Sequence, residues 1–138
     1  MGSSDSNSAS VTVLCKGAEA VHQMVQAAQA FGIDRALGVE QAARLSIIIE
    51  ELVYNLVDHG GIGEEGLIEL VLTHEDGVVG ISLSDSGVTF DPRGAESDEA
   101  IPERGGGAGI DLVRAWTEIV DYGSNAGRNR LLLKMWLS

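Results

Sequence analysis

The apolar positions along the chain change their spacing several times, and each spacing predicts one kind of element. Alternating and β-branched runs predict strands, whereas apolar residues three and four apart predict helices. Strands are expected at Ser10–Leu14, Leu67–His74, Val78–Asp85, Ile119–Tyr122 and Arg130–Trp136. Helices are expected at Ala18–Phe31, Val39–Asp58 and Ile110–Trp116.

Glycine-containing segments separate these elements. Gly32 is predicted to end the first helix, and His59-Gly60-Gly61 is predicted to end the second with a left-handed glycine. Glu75-Asp76-Gly77 has the composition of a tight hairpin turn, and Gly123-Ser124-Asn125 is expected to join the last two strands. Ser86–Gly109 is long, polar and rich in glycine, which is typical of a functional lid.

The order β-α-α-β-β-loop-α-β-β predicts an α+β fold. We expect a two-layer sandwich in which helices cover one face of a mixed, mostly antiparallel sheet. The length of 138 residues and the 44% of apolar residues fit a single domain over residues 10–138. Residues 1–9 are small and polar and are expected to form a flexible tail.

The charge and the cysteine content narrow the functional classes. Twenty-one acidic residues against nine basic ones give a formal net charge of −12, which argues against direct binding to nucleic acid or to an anionic membrane. The single cysteine, Cys15, excludes an intrachain disulfide and fits a cytoplasmic protein. No apolar run is long enough to cross a bilayer, and the N-terminus lacks the pattern of a signal peptide.

The long second helix carries polar residues beside its apolar stripe. Glu51 and Asn55 are four residues apart and therefore share a face. Each immediately precedes a stripe residue, Leu52 or Leu56, so both are expected at the margin of the core. Asparagine is a poor residue for a helix interior, which favours a special role. The alternative is a solvated surface pair, with His59 as a helix-end or packing residue.

Two further segments have the chemistry of a ligand site. Asp85 ends a strand and Gly87 follows, which is typical either of a plain turn or of a carboxylate at a pocket floor that a flat ligand approaches. The glycines at 105–107 and 109 precede a helix, where free backbone N–H groups and the helix dipole favour a phosphate. A flexible linker is the alternative, and neither a Walker loop nor a dinucleotide fingerprint is present.

The order of these motifs is more specific than any one of them. Glu51-x-x-x-Asn55-x-x-x-His59-Gly60, then Asp85-x-Gly87-x-x-Phe90-Asp91-Pro92, then Gly107-x-Gly109-Ile110-x-Leu112-Val113-Arg114 resemble the N, G1 and G2 boxes of the GHKL (Bergerat-fold, histidine-kinase-like) ATPases. Within that superfamily the chain is most similar to the bacterial anti-sigma-factor serine/threonine kinases. The resemblance extends from Ser10 to Leu137.

The resemblance implies ATP and Mg²⁺ as cofactors and gives each motif residue a role. Asn55 would bind Mg²⁺ through its amide oxygen, Glu51 would be the catalytic general base, and Asp85 would accept a hydrogen bond from the adenine amino group. The residues expected around the nucleotide are Asn55, His59, Asp85, Gly87, Arg104, Gly105, Gly106, Gly107, Gly109 and Ile110.

The same resemblance implies a regulatory function. Such a kinase binds and inhibits a sigma factor and phosphorylates a STAS-type anti-sigma-factor antagonist, and it can form a homodimer. One alternative is a nucleotide-dependent binding module without phosphotransfer, against which Glu51 argues. The other is the ATP-binding half of a two-component histidine kinase, but the sequence shows no preceding dimerisation helix with a phospho-accepting histidine.

Overall fold

The computed structural model describes residues 8–59, 65–86, 106–125 and 127–137. These residues form five strands and three helices, most of which lie within a few residues of the positions predicted from the sequence. In chain order they are β1 (Ser8–Lys16), α1 (Gly17–Asp34), α2 (Val39–His59), β2 (Leu67–Glu75), β3 (Val78–Asp85), α3 (Gly106–Trp116), β4 (Glu118–Asn125) and β5 (Arg128–Trp136).

The five strands form one sheet in the order β1-β2-β3-β5-β4, and every described pairing is antiparallel. In the β2–β3 hairpin, Asp76 and Gly77 both have positive φ angles, 55° and 78°, as a two-residue turn with matching twist requires. The predicted turn at Gly123–Asn125 is wrong, because these residues pair with β5 as part of β4. Gly127, with φ of 81°, supplies the positive φ of that hairpin.

The core lies between the helices and one face of the sheet. Side chains alternate along β2, β3 and β5, so every second residue points to the helical layer and is buried. The largest fully buried side chains are Phe31, Met24, Leu45, Ile48, Ile49, Ile68, Leu70, Leu72, Ile81 and Leu133. The core is therefore mostly aliphatic, and the predicted α+β sandwich with helices against the sheet is confirmed.

Helix α1 does not end at Gly32, as the sequence suggested, but continues to Asp34. Gly32 is buried, and a Cβ atom placed on it would lie 3.1 Å from the Cβ of Ala42 in α2. The glycine therefore serves close packing of two helices rather than helix termination, and a glycine can be used in this way wherever two backbones approach each other.

Replacing Gly32 with valine is expected to destabilise the protein. Because the first added carbon already meets Ala42 at 3.1 Å, the two further methyl groups force α1 and α2 apart. Overpacking of this kind lowers the free energy of unfolding by about 1–3 kcal/mol. Chemical denaturation monitored by circular dichroism measures the change, and Gly38→Val, at a position with nothing within 4 Å of the added carbon, is the control. If Gly32→Val lowers the free energy of unfolding no more than Gly38→Val does, the close contact with Ala42 does not exclude a larger side chain.

Helix α3 begins at Gly106, four residues before the predicted start, so the predicted loop Ser86–Gly109 is too long at its C-terminal end. Glycine is a poor helix former, and for this reason the sequence pattern placed the boundary after Gly109. Val113 is fully buried, and α3 packs on α2. Tertiary packing of this kind overrides weak local propensity.

Two further features of the fold are the burial of Cys15 and the length and composition of the helices. Burial, together with the nearby charge of Glu19, raises the pKa of the Cys15 thiol above its usual value, which keeps the thiol protonated at neutral pH. Within the described segments, no helix combines the length and the apolar character that crossing a bilayer requires.

Candidate functional site

Helix α2 places one polar side chain inside the protein. The predicted stripe of Leu45, Ile48, Leu52 and Leu56 is buried against the sheet, which fixes the rotation of the helix. Asn55 was expected at the margin of this core, but only 2% of its surface is exposed. Asn55 is about 100° around the helix from Leu56, and the buried face of α2 is wide enough to include it.

The buried amide of Asn55 lacks hydrogen bonds. Neither its Nδ2 nor its Oδ1 has a partner among the described residues. A buried polar group left unpaired costs about 1–3 kcal/mol, and most buried polar atoms in native proteins are paired. A buried amide without a partner among the described residues, surrounded mostly by apolar side chains, is therefore a candidate ligand-binding group.

Strand β3 delivers the second polar group. Asp85 is its last residue and is only 3% exposed, so it is more deeply buried than the exposed pocket carboxylate that the sequence suggested. Asp85 occupies an inward position of the alternating strand, like Leu83 two residues before it. Across the β3–β5 pairing it stands opposite Asn129, whose Nδ2 donates a hydrogen bond of 3.1 Å to its Oδ1.

Asn55 and Asp85 line the same cavity. The other lining residues are Leu52, Leu56, Leu83, Tyr122 and Leu131. The space among these side chains is about 330 Å³ with its open mouth included, but only about 20 Å³ admits the centre of a water molecule. The apolar side walls and the two polar groups suit a flat heteroaromatic ring, which can enter only if side chains at the mouth move.

Glu51 does not line this cavity. It is half-buried on α2, one helical turn before Asn55 and on the same side of the helix. Its neighbour Glu50 is exposed. The two acidic residues therefore occupy different environments, as their 100° separation on the helix predicts.

Helix α3 begins with glycines of the third motif and packs on α2. Gly106, Gly107 and Gly109 lie in its first turn, where backbone N–H groups have no partner within the helix. At its other end, the guanidinium of Arg44 in α2 lies over the ring of Trp116, 5.1 Å from the ring centre. Arg44 also forms an ion pair with Glu40 at 2.7 Å. The contact between Arg44 and Trp116 fixes the C-terminal end of α3 against α2, the helix that carries Asn55.

Several predicted site residues are placed only in part. Gly87, Arg104 and Gly105 lie outside the described residues, as does Gly60 of the first motif. His59 is the last residue of α2, and Ile110 lies in α3, but only their backbone is described. In the described part of the chain, no group of three or more histidine, cysteine or acidic side chains could hold a metal ion.

Sequence reasoning missed two residues of the site, Asn129 and Tyr122. Asn129 occupies a buried position of β5, whose other buried residues are Leu131, Leu133 and Met135. A polar residue in the buried phase of an alternating strand was the available signal. Tyr122 carried no comparable signal, because an aromatic residue near the end of a strand is ordinary.

The sheet order, the helical layer on one face and the cavity between α2 and β3 define the histidine-kinase-like ATPase fold. The chain belongs to the histidine kinase-like ATPase domain family, whose sequence profile matches residues 16–135. It is thus a GHKL-type ATPase domain, a class that binds ATP, typically with Mg²⁺. No curated protein matches the chain.

The solved structures that share the fold include two of a histidine kinase. The blue-light activated histidine kinase of Erythrobacter litoralis EL346 aligns with a TM-score of 0.55 and 18% identity over 74% of this chain and 32% of that protein. The histidine kinase domain from the same protein aligns with a TM-score of 0.56 and 14% identity over 88% of this chain and 61% of that domain. The chain thus spans about a third of the first structure and three fifths of the second.

Proposed function

We propose that the protein is an ATP- and Mg²⁺-dependent serine/threonine kinase that binds and inhibits a sigma factor and phosphorylates a STAS-type antagonist of that inhibition. The main support for nucleotide binding is that two motif residues, Asn55 and Asp85, line one cavity. Asn55 presents an amide that has no hydrogen-bond partner in the part of the chain that the structure describes, and Asp85 presents a carboxylate; the two lie on different elements within the same apolar walls. The resemblance of the three motifs to the anti-sigma-factor kinases supports the choice of substrate and partners.

The residues of the cavity fit adenosine triphosphate with its metal. Asp85 can accept a hydrogen bond from the adenine amino group, and the apolar walls can pack on the two faces of the ring. The Oδ1 atom of Asn55 is the kind of hard oxygen ligand that Mg²⁺ prefers, while the triphosphate supplies the remaining charge. When bound, the ion would neutralise charge on the phosphates during transfer.

The position of Glu51 on α2 supports a role in taking the proton of the acceptor hydroxyl. Because it is one turn from Asn55 on the same side of α2, a hydroxyl brought to the phosphate end of the site would approach both residues. Its half-buried carboxylate lies outside the cavity that would hold the base. Asn55 would therefore bind the metal ion, and Glu51 would take the hydroxyl proton, which is the usual role of a general base.

The partner proteins are testable without knowing their names. The intact chain, immobilised on resin, is used to capture proteins from native cytosol with and without Mg·ATP, and captured proteins are mapped for phosphorylation. A sigma factor retained on the resin, together with a STAS protein phosphorylated on serine or threonine, is the expected result. Phosphohistidine on the chain itself would favour a two-component kinase instead, and ATP-dependent capture without phosphorylation would favour a binding module.

Replacing Glu51 with glutamine is expected to separate ATP binding from transfer. Removal of a general base lowers transfer by at least about tenfold, whereas the cavity residues remain and ATP binding is retained. Transfer of labelled phosphate to the captured antagonist, measured beside calorimetric ATP affinity, gives the two quantities.

The matched control for that experiment is Glu50→Gln. It removes the same charge from the adjacent, exposed position of α2, so it changes the net charge equally without touching the proposed base. Transfer by Glu50→Gln should remain near that of the original protein. Equal transfer by the Glu51→Gln and Glu50→Gln variants would remove Glu51 from the mechanism.

A further inference from the structure

Asn129 is a buried polar residue that none of the three motifs contains. It is 3% exposed and lies on β5 directly opposite Asp85. Directly opposed residues of antiparallel strands have their side chains on the same face with Cβ atoms about 5 Å apart. The Nδ2 of Asn129 donates to Asp85 Oδ1 at 3.1 Å, so the amide contacts the carboxylate proposed to recognise the base.

We infer that Asn129 is a positioning residue that determines purine specificity by holding the Asp85 carboxylate as a hydrogen-bond acceptor for adenine. This inference rests on the proposed ATP site. The terminal torsion of an aspartate is broad, so the orientation of the Asp85 carboxylate depends on the hydrogen bonds that it accepts, among them the bond from Asn129. A carboxylate offers about four acceptor positions on two oxygens, and the bond from Asn129 uses one of them.

The orientation of the carboxylate decides which purine it recognises. An ionised carboxylate can only accept hydrogen bonds, and the bond from Asn129 Nδ2 to Asp85 Oδ1 holds one oxygen in place, which sets the direction in which the other oxygen accepts. Adenine presents an amino donor at the ring position where guanine presents a carbonyl acceptor. A carboxylate oxygen that points at this ring position accepts a hydrogen bond from the adenine amino group and repels the guanine carbonyl oxygen. Loss of the Asn129 donor should therefore weaken ATP binding more than GTP binding.

Three variants test this assignment in the full chain. Asn129→Leu has the same number and branching of side-chain heavy atoms but no donor, whereas Asn129→Thr restores a hydroxyl donor. Met135→Val alters another buried residue of the same strand, outside the cavity, and serves as the control for general weakening of β5. Calorimetric Kd values for ATP and GTP and the thermal midpoint are measured for each variant.

The expected result is a change in the ratio of the two affinities. A hydrogen bond to a charged group corresponds to about a tenfold or larger effect on binding, so Asn129→Leu should raise the Kd for ATP by about tenfold. The ratio of the GTP to the ATP Kd should fall by about fivefold or more, and Asn129→Thr should recover most of that ratio. Met135→Val should leave the ratio unchanged even if its thermal midpoint falls.

Two other results would overturn the inference. An unchanged ratio in Asn129→Leu, or equal losses for both nucleotides without recovery in Asn129→Thr, would give Asn129 a structural role alone. If the leucine variant does not fold, Asn129→Ala is compared with Asn129→Thr in the same way. Failure of the original protein to bind either nucleotide would instead refute the proposed function, so the two failures are distinguishable.

Discussion

An Asp85→Asn variant is expected to lose ATP affinity by about a hundredfold or more while keeping its fold. The substitution preserves size, and the new amide oxygen can still accept the hydrogen bond from Asn129 that joins β3 to β5. The new amide nitrogen, however, would face the adenine amino group, so two donors would meet. Sites built around one hydrogen bond discriminate strongly against a group that cannot make it, because buried polar atoms are then left unpaired.

The measurement for Asp85→Asn is isothermal titration with Mg·ATP, beside thermal unfolding without nucleotide. Asp121→Asn is the matched control, because it removes an exposed carboxylate from β4 that does not line the cavity. Normal ATP affinity in Asp85→Asn would contradict the assignment of the cavity to the base. A large drop in its thermal midpoint would mean that Asp85 stabilises the fold itself.

Replacing Asn55 with leucine is expected to stabilise the protein and to abolish Mg·ATP binding. Both polar atoms of the buried amide lack partners among the described residues, and leucine has the same branching with apolar atoms. Removing an unpaired buried group should raise the free energy of unfolding by about 1–3 kcal/mol, and the thermal midpoint by several degrees. The proposed oxygen ligand of Mg²⁺ is lost in the same change.

Asn129→Leu provides the comparison for Asn55→Leu. Both positions hold a buried asparagine, 2% and 3% exposed, but the amide at 129 has a hydrogen-bond partner, whereas that at 55 has none within the described segments. Leucine should therefore stabilise the protein at position 55 and destabilise it at position 129. Thermal unfolding in the absence of nucleotide decides the sign. Destabilisation at position 55 would show that the amide contributes to the fold rather than being held for a ligand.

The sequence predicted the elements well where one period dominates. Helix α2 was predicted within one residue at its C-terminal end, because its apolar stripe from Leu45 to Leu56 continues for about three turns, and strand β3 was predicted at both ends. Gly32 and the first turn of α3 were misjudged for a common reason. Glycine weakens local helix propensity, but the close approach to Ala42 and the burial of Val113 depend on distant residues.

The candidate site could be predicted only as far as its motifs reach. Asn55 and Asp85 stood out because a polar residue interrupts an apolar pattern or ends a strand, and the structure brings both to one cavity. Asn129 and Tyr122 lie at the site because β5 pairs with β3 and β4 pairs with β5. This strand order depends on the assembly of the whole sheet, so no local sequence pattern could predict which strands are neighbours.

The location of the nucleotide is the most direct test of this account. A crystal structure of the full chain with Mg²⁺ and a non-hydrolysable ATP analogue would determine it. We expect the adenine amino group within hydrogen-bond distance of the Asp85 carboxylate, and Mg²⁺ about 2.1 Å from the Oδ1 of Asn55. A nucleotide bound away from the cavity between α2 and β3, or a metal ion that does not contact Asn55, would contradict it.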